Sequence, residues 1–429
     1  MNCFDDKSLN PSQGPIPPLS KGSDVLIIGA GPAGSAAAIV LARAGMSVTL
    51  IDQHTFPRDK ICGDGLIPDS MQALESLGVL SAVLSRARSL KGLACHGPGG
   101  GTLHIPGNLA VLPRKELDMI LVQKAIDLGA RLVAPARFLK TIESPEGVVC
   151  GVTVRMGQTQ QDLLARWVIL ATGASAGPLK AAGVCLRPLP SAMALRTYVR
   201  NPQWQGGLEH LEISWHRSYA PGYGWVFPLA DGLFNVGVGL YGMHQPTAFD
   251  RFRTYLGKNS ESGGKLNLNQ LFDKFVNSHP RVKELVHGGT LESEIKGAPL
   301  RCSLEGAETS RPGLLVTGEA IGSTYALTGE GIGKAMETGM LAAQAILDSP
   351  DNDTVARQQY SRSLDAIRYK FAIYQKANII NRMPWLINLA IQRGNASPRL
   401  VHRMSLVLEE KANPAKLFTI RGAWKFLTE

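Results

Sequence analysis

The chain has no uninterrupted apolar run approaching the roughly 18 residues a membrane-spanning helix needs, so no span is expected. Cysteine is sparse and scattered. Cys3, Cys62, Cys95, Cys150, Cys185 and Cys302 form no C-x-x-C pair and no His-paired spacing. That argues against a disulfide framework and a metal site, and for a reducing, cytoplasmic setting. Aromatic residues make up only 6% and never interleave with a basic stripe, so nucleic acid is not an expected partner. There is no internal repeat and no acidic excess. Lys and Arg number 45 against 35 Asp and Glu, a formal net charge of +10 that suits anionic substrates or a membrane surface. An ordinary solvated basic surface is the plainer alternative. The opening residues, MNCFDDKSLNPSQGPIPPLSKGS, lack the apolar core of a secretory signal and read as a flexible lead-in over 1–23.

What is present begins at residue 24. A length of 429 residues predicts two or three domains. Val25-Leu26-Ile27-Ile28 reads as a parallel strand buried on both faces. Gly29-Ala30-Gly31-Pro32-Ala33-Gly34 follows as a G-x-G-x-x-G turn. Gly29 permits the bend, Gly31 lets a pyrophosphate approach the backbone, and Gly34 seats the next helix on the sheet. That helix runs to Ala44, and Val48–Ile51 is a second strand. Asp52, with Gln53 beside it, is placed to accept from a ribose hydroxyl. Strand, helix and acid at the right offsets make this a dinucleotide site, with FAD or NAD left for the rest of the chain to decide.

The loop after Asp52, Phe56-Pro57-Arg58-Asp59-Lys60-Ile61-Cys62-Gly63-Asp64-Gly65-Leu66, resembles the segment that follows the dinucleotide finger in the geranylgeranyl reductase family. There a Lys-x-Cys-Gly run lies against the flavin ring, and Lys60, Cys62 and Gly63 are the matching positions. On residue type alone Cys62 would be a buried small hydrophobe. Residues 69–82 and Arg114–Leu128 read as helices and 92–112 as a hairpin. In such flavin enzymes an Arg at the start of the second helix contacts FAD, which implies the same for Arg114. The apolar run Trp167–Leu170 ends in Ala171-Thr172-Gly173-Ala174. Related aromatic hydroxylases carry Asp-Gly there, so Thr172 argues against direct NADPH docking, while Gly173 keeps the flavin role.

From about Leu186 to His287 the pattern changes to strands and turns, read as an antiparallel layer. At its centre Tyr223, Trp225, Phe227 and Pro228, then eight residues, then Gly237 and Gly239, match the YxWxFPx8GxG spacing of geranylgeranyl reductases. Alternation puts the aromatic residues on one sheet face. An ordinary aromatic core strand is the competing reading. Beyond it, Gly313–Thr317 is a strand, and Gly318-Glu319 resembles the Gly-Asp motif that holds a ribityl chain, one methylene longer. Gly329-Glu330-Gly331-Ile332 would bring backbone amides and a helix N-terminus to the flavin N1–C2=O edge. The remainder reads as helices near 354–376, 377–392 and 398–410. The apolar stretch MPWLINLAIQR and the basic residues after it suit a membrane surface, or simply a cap on the substrate domain.

The resemblance implies the p-hydroxybenzoate hydroxylase type of α/β fold. Its parts are a Rossmann-like FAD-binding domain over 24–185 and 291–350, an antiparallel β-sheet substrate domain over 186–290, and a C-terminal helical region over 351–429. The implied function is FAD-dependent reduction of prenyl carbon–carbon double bonds, with NAD(P)H or another external electron donor. Cys62, Tyr223 and Trp225 are the catalytic candidates. The alternative is an FAD-dependent monooxygenase, hydroxylase or halogenase-like, acting on an aromatic or peptidyl substrate through a flavin C4a-hydroperoxide. A third reading is a non-catalytic flavoprotein that docks another protein. Expected partners are an apolar or aromatic substrate, lipid-linked or peptidyl, an electron-donor protein, and a membrane surface contacted peripherally.

Overall fold

The computed structural model describes residues 22–204, 206–241 and 268–412. The lead-in over 1–21 and the basic positions Lys416, Arg421 and Lys425 lie outside them. The strand Ser23–Ile28 is buried because every neighbour is a strand or a helix. It pairs in parallel with Val48–Ile51 on one side and Thr159–Leu170 on the other. Arg131–Val133 extends one side and Leu314–Val316 the other, with the short antiparallel strand Ser310–Arg311 outside it, so that side comes from far along the chain. A parallel sheet of this kind needs both faces covered. Helix Pro32–Arg43 covers one together with Ile332–Asp348 and Arg114–Asp127. A Cβ at Gly339 would fall 2.2 Å from the Ala33 carbonyl oxygen, so only glycine lets the first two helices pack this closely.

The second sheet runs in the order Thr290–Leu291, Ala192–Arg200, Leu233–Tyr241, Gly222–Pro228, Leu211–Ser214, Arg88–His96, Thr102–Val111, Gly65–Leu66. Lys296–Leu300 also pairs with Ala192–Arg200. The hairpin Arg88–Val111 falls within the segment expected to form the nucleotide domain, but its strands belong to this sheet. Its first strand, Arg88–His96, pairs in parallel with Leu211–Ser214, which joins the hairpin to the second sheet. The helix expected over 69–82 is two helices, Pro68–Ser76 and Leu80–Leu84, because Gly78 turns left-handed between them. Helices Leu268–Ser278 and Pro280–His287 lie where only strands were expected. Phe272, Phe275 and Leu285 pack there against Val226, Val236 and Val238 of the sheet.

The opposite face of the sheet carries Tyr223, Trp225 and Tyr241. Ile387 and Ile391 of helix Trp385–Ala396 join their cluster, and helix Pro398–Leu408 packs beside it on strand Thr102–Val111. The helix expected over 377–392 is interrupted at Pro384, which cannot continue an i to i−4 ladder. Among the described residues no helix is long and apolar enough to cross a membrane.

Candidate functional site

The finger closes as its glycines require. Gly29 has φ +105°, and a Cβ there would sit 2.3 Å from the Ala171 carbonyl oxygen. A Cβ at Gly34 would sit 1.8 Å from the Gly29 oxygen, so this glycine fixes helix against strand. Gly31 differs from both. The nearest atoms to a Cβ there are guanidinium nitrogens, Arg58 Nη2 at 3.7 Å and Arg114 Nη2 at 3.8 Å. Gly31 is also the N-cap of Pro32–Arg43 and has no side-chain cap, which leaves the first amides of that helix free for an anion.

Asp118 ties the two arginines together. Arg114 donates to it twice, from Nε at 2.6 Å and Nη2 at 2.8 Å, and Arg58 Nη1 donates at 3.0 Å. Asp118 is fully buried. Asp52 accepts from the Ala30 amide at 3.0 Å and the His54 amide at 3.0 Å, and Arg58 Nη2 lies 3.3 Å away. Arg58 Nε is buried without a hydrogen-bond partner. Free helix amides, a bare Gly31 and a partly unsatisfied arginine pair meet at one point. This is the donor set a pyrophosphate uses. Replacing Gly31 with Ala should therefore leave the apoprotein's unfolding transition unchanged, since the methyl meets only ordinary contacts, while FAD retention falls at least tenfold. Equilibrium dialysis of flavin beside a thermal melt would check it; a lowered melting temperature with normal FAD affinity would count against this reading.

From the finger a cavity of about 640 Å³ runs between the two sheets. Gly29, Gly31, Ala33, Asp52 and Gln53 line its nucleotide end, with Arg114 and Gly173. Lys60, Cys62 and Gly63 line its middle, facing Glu319, Gly329, Gly331 and Ile332. Tyr223 and Trp225 stand on the sheet side. Gly34 and Gly318 are the expected site residues that lie off its wall. Gly318, at φ +68°, packs on Ala33, where an added Cβ would come within 2.6 Å of the Ala33 methyl. Helix Ile332–Asp348 opens at this wall from Gly331, again with no side-chain cap. Thr172 and Thr328, both with buried hydroxyls, line the same region.

Several residues that hold the site together were not expected from sequence. Asn235 donates to the Cys62 carbonyl and to Asp64 Oδ2, each at 2.7 Å, and accepts from Trp225 Nε1 at 2.9 Å. Asp64, at φ +65°, also accepts from the Tyr198 hydroxyl at 2.6 Å and the Arg114 amide at 3.2 Å. Burial nevertheless pushes its carboxyl up to about 6. Arg196 stacks on Tyr198 and donates to Asp59 and to the Lys60 carbonyl. These contacts clamp the Lys60–Gly63 loop onto the second sheet. Burial also raises the Cys62 thiol, partly offset by Arg114, so the thiol stays protonated at neutral pH. Tyr223 donates to the Thr328 carbonyl and shares a hydrogen bond with Tyr241. The indole of Trp225 crosses Gly237, where a Cβ would lie 2.1 Å from Cζ2; the motif glycine admits a ring as well as the backbone of Leu195.

Comparison with known proteins places this geometry. The FAD binding domain family model matches residues 22–195. The menaquinone reductase of Mycolicibacterium smegmatis is 30% identical over 370 residues, 81% of this chain and 83% of that one. Digeranylgeranylglycerophospholipid reductase 2 of Methanopyrus kandleri is 26% identical over 81% and 83% of the two chains. A geranylgeranyl bacteriochlorophyll reductase-like protein of Thermoplasma acidophilum superposes with a TM-score of 0.73 at 22% identity, over 92% of this chain and 98% of its own, a likeness of fold. With its finger, its arginine pair and the Tyr223–Gly239 strand pair around one cavity, the chain belongs to the geranylgeranyl reductase-like family of FAD-dependent oxidoreductases.

Proposed function

We propose that the protein reduces carbon–carbon double bonds in the prenyl chain of a lipid, a lipid-linked quinone or a glycerophospholipid being the leading classes. The observation that carries this reading is the continuity of the cavity. Around Trp225 and Phe227 its lining includes Leu93, Leu109, Leu211, Ile213 and Leu408, members of two apolar clusters that share Leu93, Phe227 and Leu408. Such a lining matches a long hydrocarbon and offers little to orient a polar aromatic ring.

FAD, when bound, supplies the reducing equivalent as hydride, drawn from an external donor. The chain's own residues would do the rest. Arg58, Arg114 and the Gly31 helix end hold the phosphates; Asp52 and Glu319 accept from hydroxyls of the nucleotide. Burial raises the Glu319 carboxyl above its ordinary range, so it holds a proton more readily than a surface glutamate. Trp225 and Tyr223, locked by Asn235 and Thr328, press the chain toward Cys62 and keep water out. A lipid substrate must be taken from a membrane. Ile379 and Trp385, 48% and 55% exposed, stand near Lys376 and Arg393 on the C-terminal helices and would rest on an anionic surface, each basic residue adding about 1 kcal/mol.

The test is to reduce the purified protein chemically, add geranylgeranyl lipids and menaquinone in vesicles, and read the products by mass spectrometry. A gain of two hydrogens per bond is expected. Oxygen-dependent gain of one oxygen on an aromatic or peptidyl substrate, with prenyl chains untouched, would move the assignment to monooxygenation.

A further inference from the structure

We propose that Glu330 is the proton-bearing group at the inner end of a buried carboxylate–lysine relay, running through Asp69, Lys334 and Glu410, that supplies the cavity with the proton each reduced double bond consumes. The inference rests on the reductase reading above. Saturating a double bond places hydride on one carbon and a proton on the other. The electron pair arrives with the hydride, so the proton must come from an acid that is left as its conjugate base and is recharged from solvent.

Glu330 sits on the cavity wall in the glycine turn that opens helix Ile332–Asp348. One turn on, Lys334 is 3% exposed and meets three carboxyls: Asp69 at 3.6 Å, Glu410 at 3.2 Å and Glu337 at 2.9 Å. Lys370, from helix Asp353–Ala377, meets Glu410 at 2.8 Å. The Asp69 carboxyl rests on Gly333, where a Cβ would fall 2.5 Å from Oδ2, and accepts from the Ser70 hydroxyl. Glu330 makes no ion pair among the described residues. It feels the charges of Asp69, Glu410 and Lys334, has the Thr328 hydroxyl beside it, and in turn acts on Tyr223, Tyr241, Tyr325 and Tyr374.

Four carboxyls and two ammonium groups share this enclosed space, so full ionisation would leave two uncompensated negative charges. Burying such an excess is costly, and protons are held instead. The carboxyl without an ammonium partner is where one rests. Burial, with Asp69 and Glu410 adding repulsion, pushes Glu330 up to about 8, and burial pushes Asp69 up to about 6. The outer end is open: the Glu337 and Lys370 side chains are 31% and 26% exposed. Since the folded-state value of Glu330 lies above that of a free glutamate, the proton is present below about pH 8 and lost above it.

Infrared titration of the resting protein, compared with Glu330→Gln, tests the assignment without turnover. The carbonyl stretch of a protonated carboxyl should be present in the wild type at pH 7, fade through about pH 8, and be missing from the variant. Double-bond reduction by E330Q should fall at least tenfold in kcat with KM unchanged, and its rate should lose the alkaline limb near pH 8. Should the variant not accumulate folded, Lys334→Met offers a second reading, since losing the ammonium should move the band's midpoint upward. Identical spectra would overturn the proposal, as would loss of the band with an unaltered pH profile. If the wild type reduces no prenyl chain at any pH, the reductase reading fails and the supply role with it. The infrared band still distinguishes that case from one in which Glu330 holds no proton.

Discussion

Asp118→Ala is expected to cost about 3–5 kcal/mol and to leave the protein unable to retain FAD through gel filtration. Asp118 accepts three hydrogen bonds from two guanidinium groups and is completely buried. Removing it takes the paired carboxylate from Arg114 and leaves Arg58 with Asp52. The cost is the uncompensated charge rather than the lost bonds, which is why it exceeds that of an ordinary hydrogen-bond deletion. Added FAD should restore part of the stability, because its phosphates would take up the stranded donors and binding stabilises by mass action. Urea unfolding with and without excess flavin reads both effects. A variant with wild-type stability and flavin content would show that the arginines are held by something else.

Asn235→Leu should be the next most damaging change. Leucine is close in volume, yet it leaves the Trp225 indole N–H and the Cys62 carbonyl without their partner and takes one of two donors from Asp64 Oδ2, which keeps the Tyr198 hydroxyl. At about 1–3 kcal/mol for each of the two stranded groups, the loss is upwards of about 2 kcal/mol. The pH dependence of that loss has a definite sign. Asp64 titrates at about 6 in the folded protein against 3.8 for a free aspartate. The folded state therefore binds this proton more tightly than the unfolded chain. Its contribution to stability is full below about 4 and declines as pH rises through about 6. Losing the Asn235 donor raises the folded value further, so in the variant the decline extends to higher pH. Chemical denaturation of both proteins between pH 4 and 8 would reveal it, and parallel curves would refute the account.

The nucleotide half was readable because each of its demands falls on one local stretch. Gly29, Gly31 and Gly34 act within a single turn, and Val48–Ile51 is the strand the pattern predicts. The aromatic strand was readable for the same reason, since alternation alone places Tyr223 and Trp225 on one face. Partners distant in sequence were not. Asn235 looks like an accident in an apolar strand until the Cys62 loop is laid against it. Asp118 carried a faint signal, lying four residues beyond Arg114 on one helix face, a spacing that favours pairing. Nothing local announces that Arg58 would arrive at the same carboxylate. The hairpin Arg88–Val111 shows the same limit, because alternation gives its strands but not the sheet that accepts them. Helix Leu268–Ser278 was read as strand because its aromatic and aliphatic residues suit either element, and burial of Phe272 and Phe275 decides it.

The wall of the cavity begins at Ile28 and ends at Leu408. A ribosome making this protein releases the finger long before Gly331 and the helix that bears Leu408 exist. The nascent chain therefore presents half a flavin cleft, and later an uncovered aromatic strand, while the rest is being made. Pairings of such long sequence separation form slowly. Cofactor capture and the sealing of the greasy arm thus wait until the strand Leu314–Val316 docks beside Thr159–Leu170 and the helices that follow it settle. Flavin supply in that interval would therefore bear on how much of the chain closes around its cofactor.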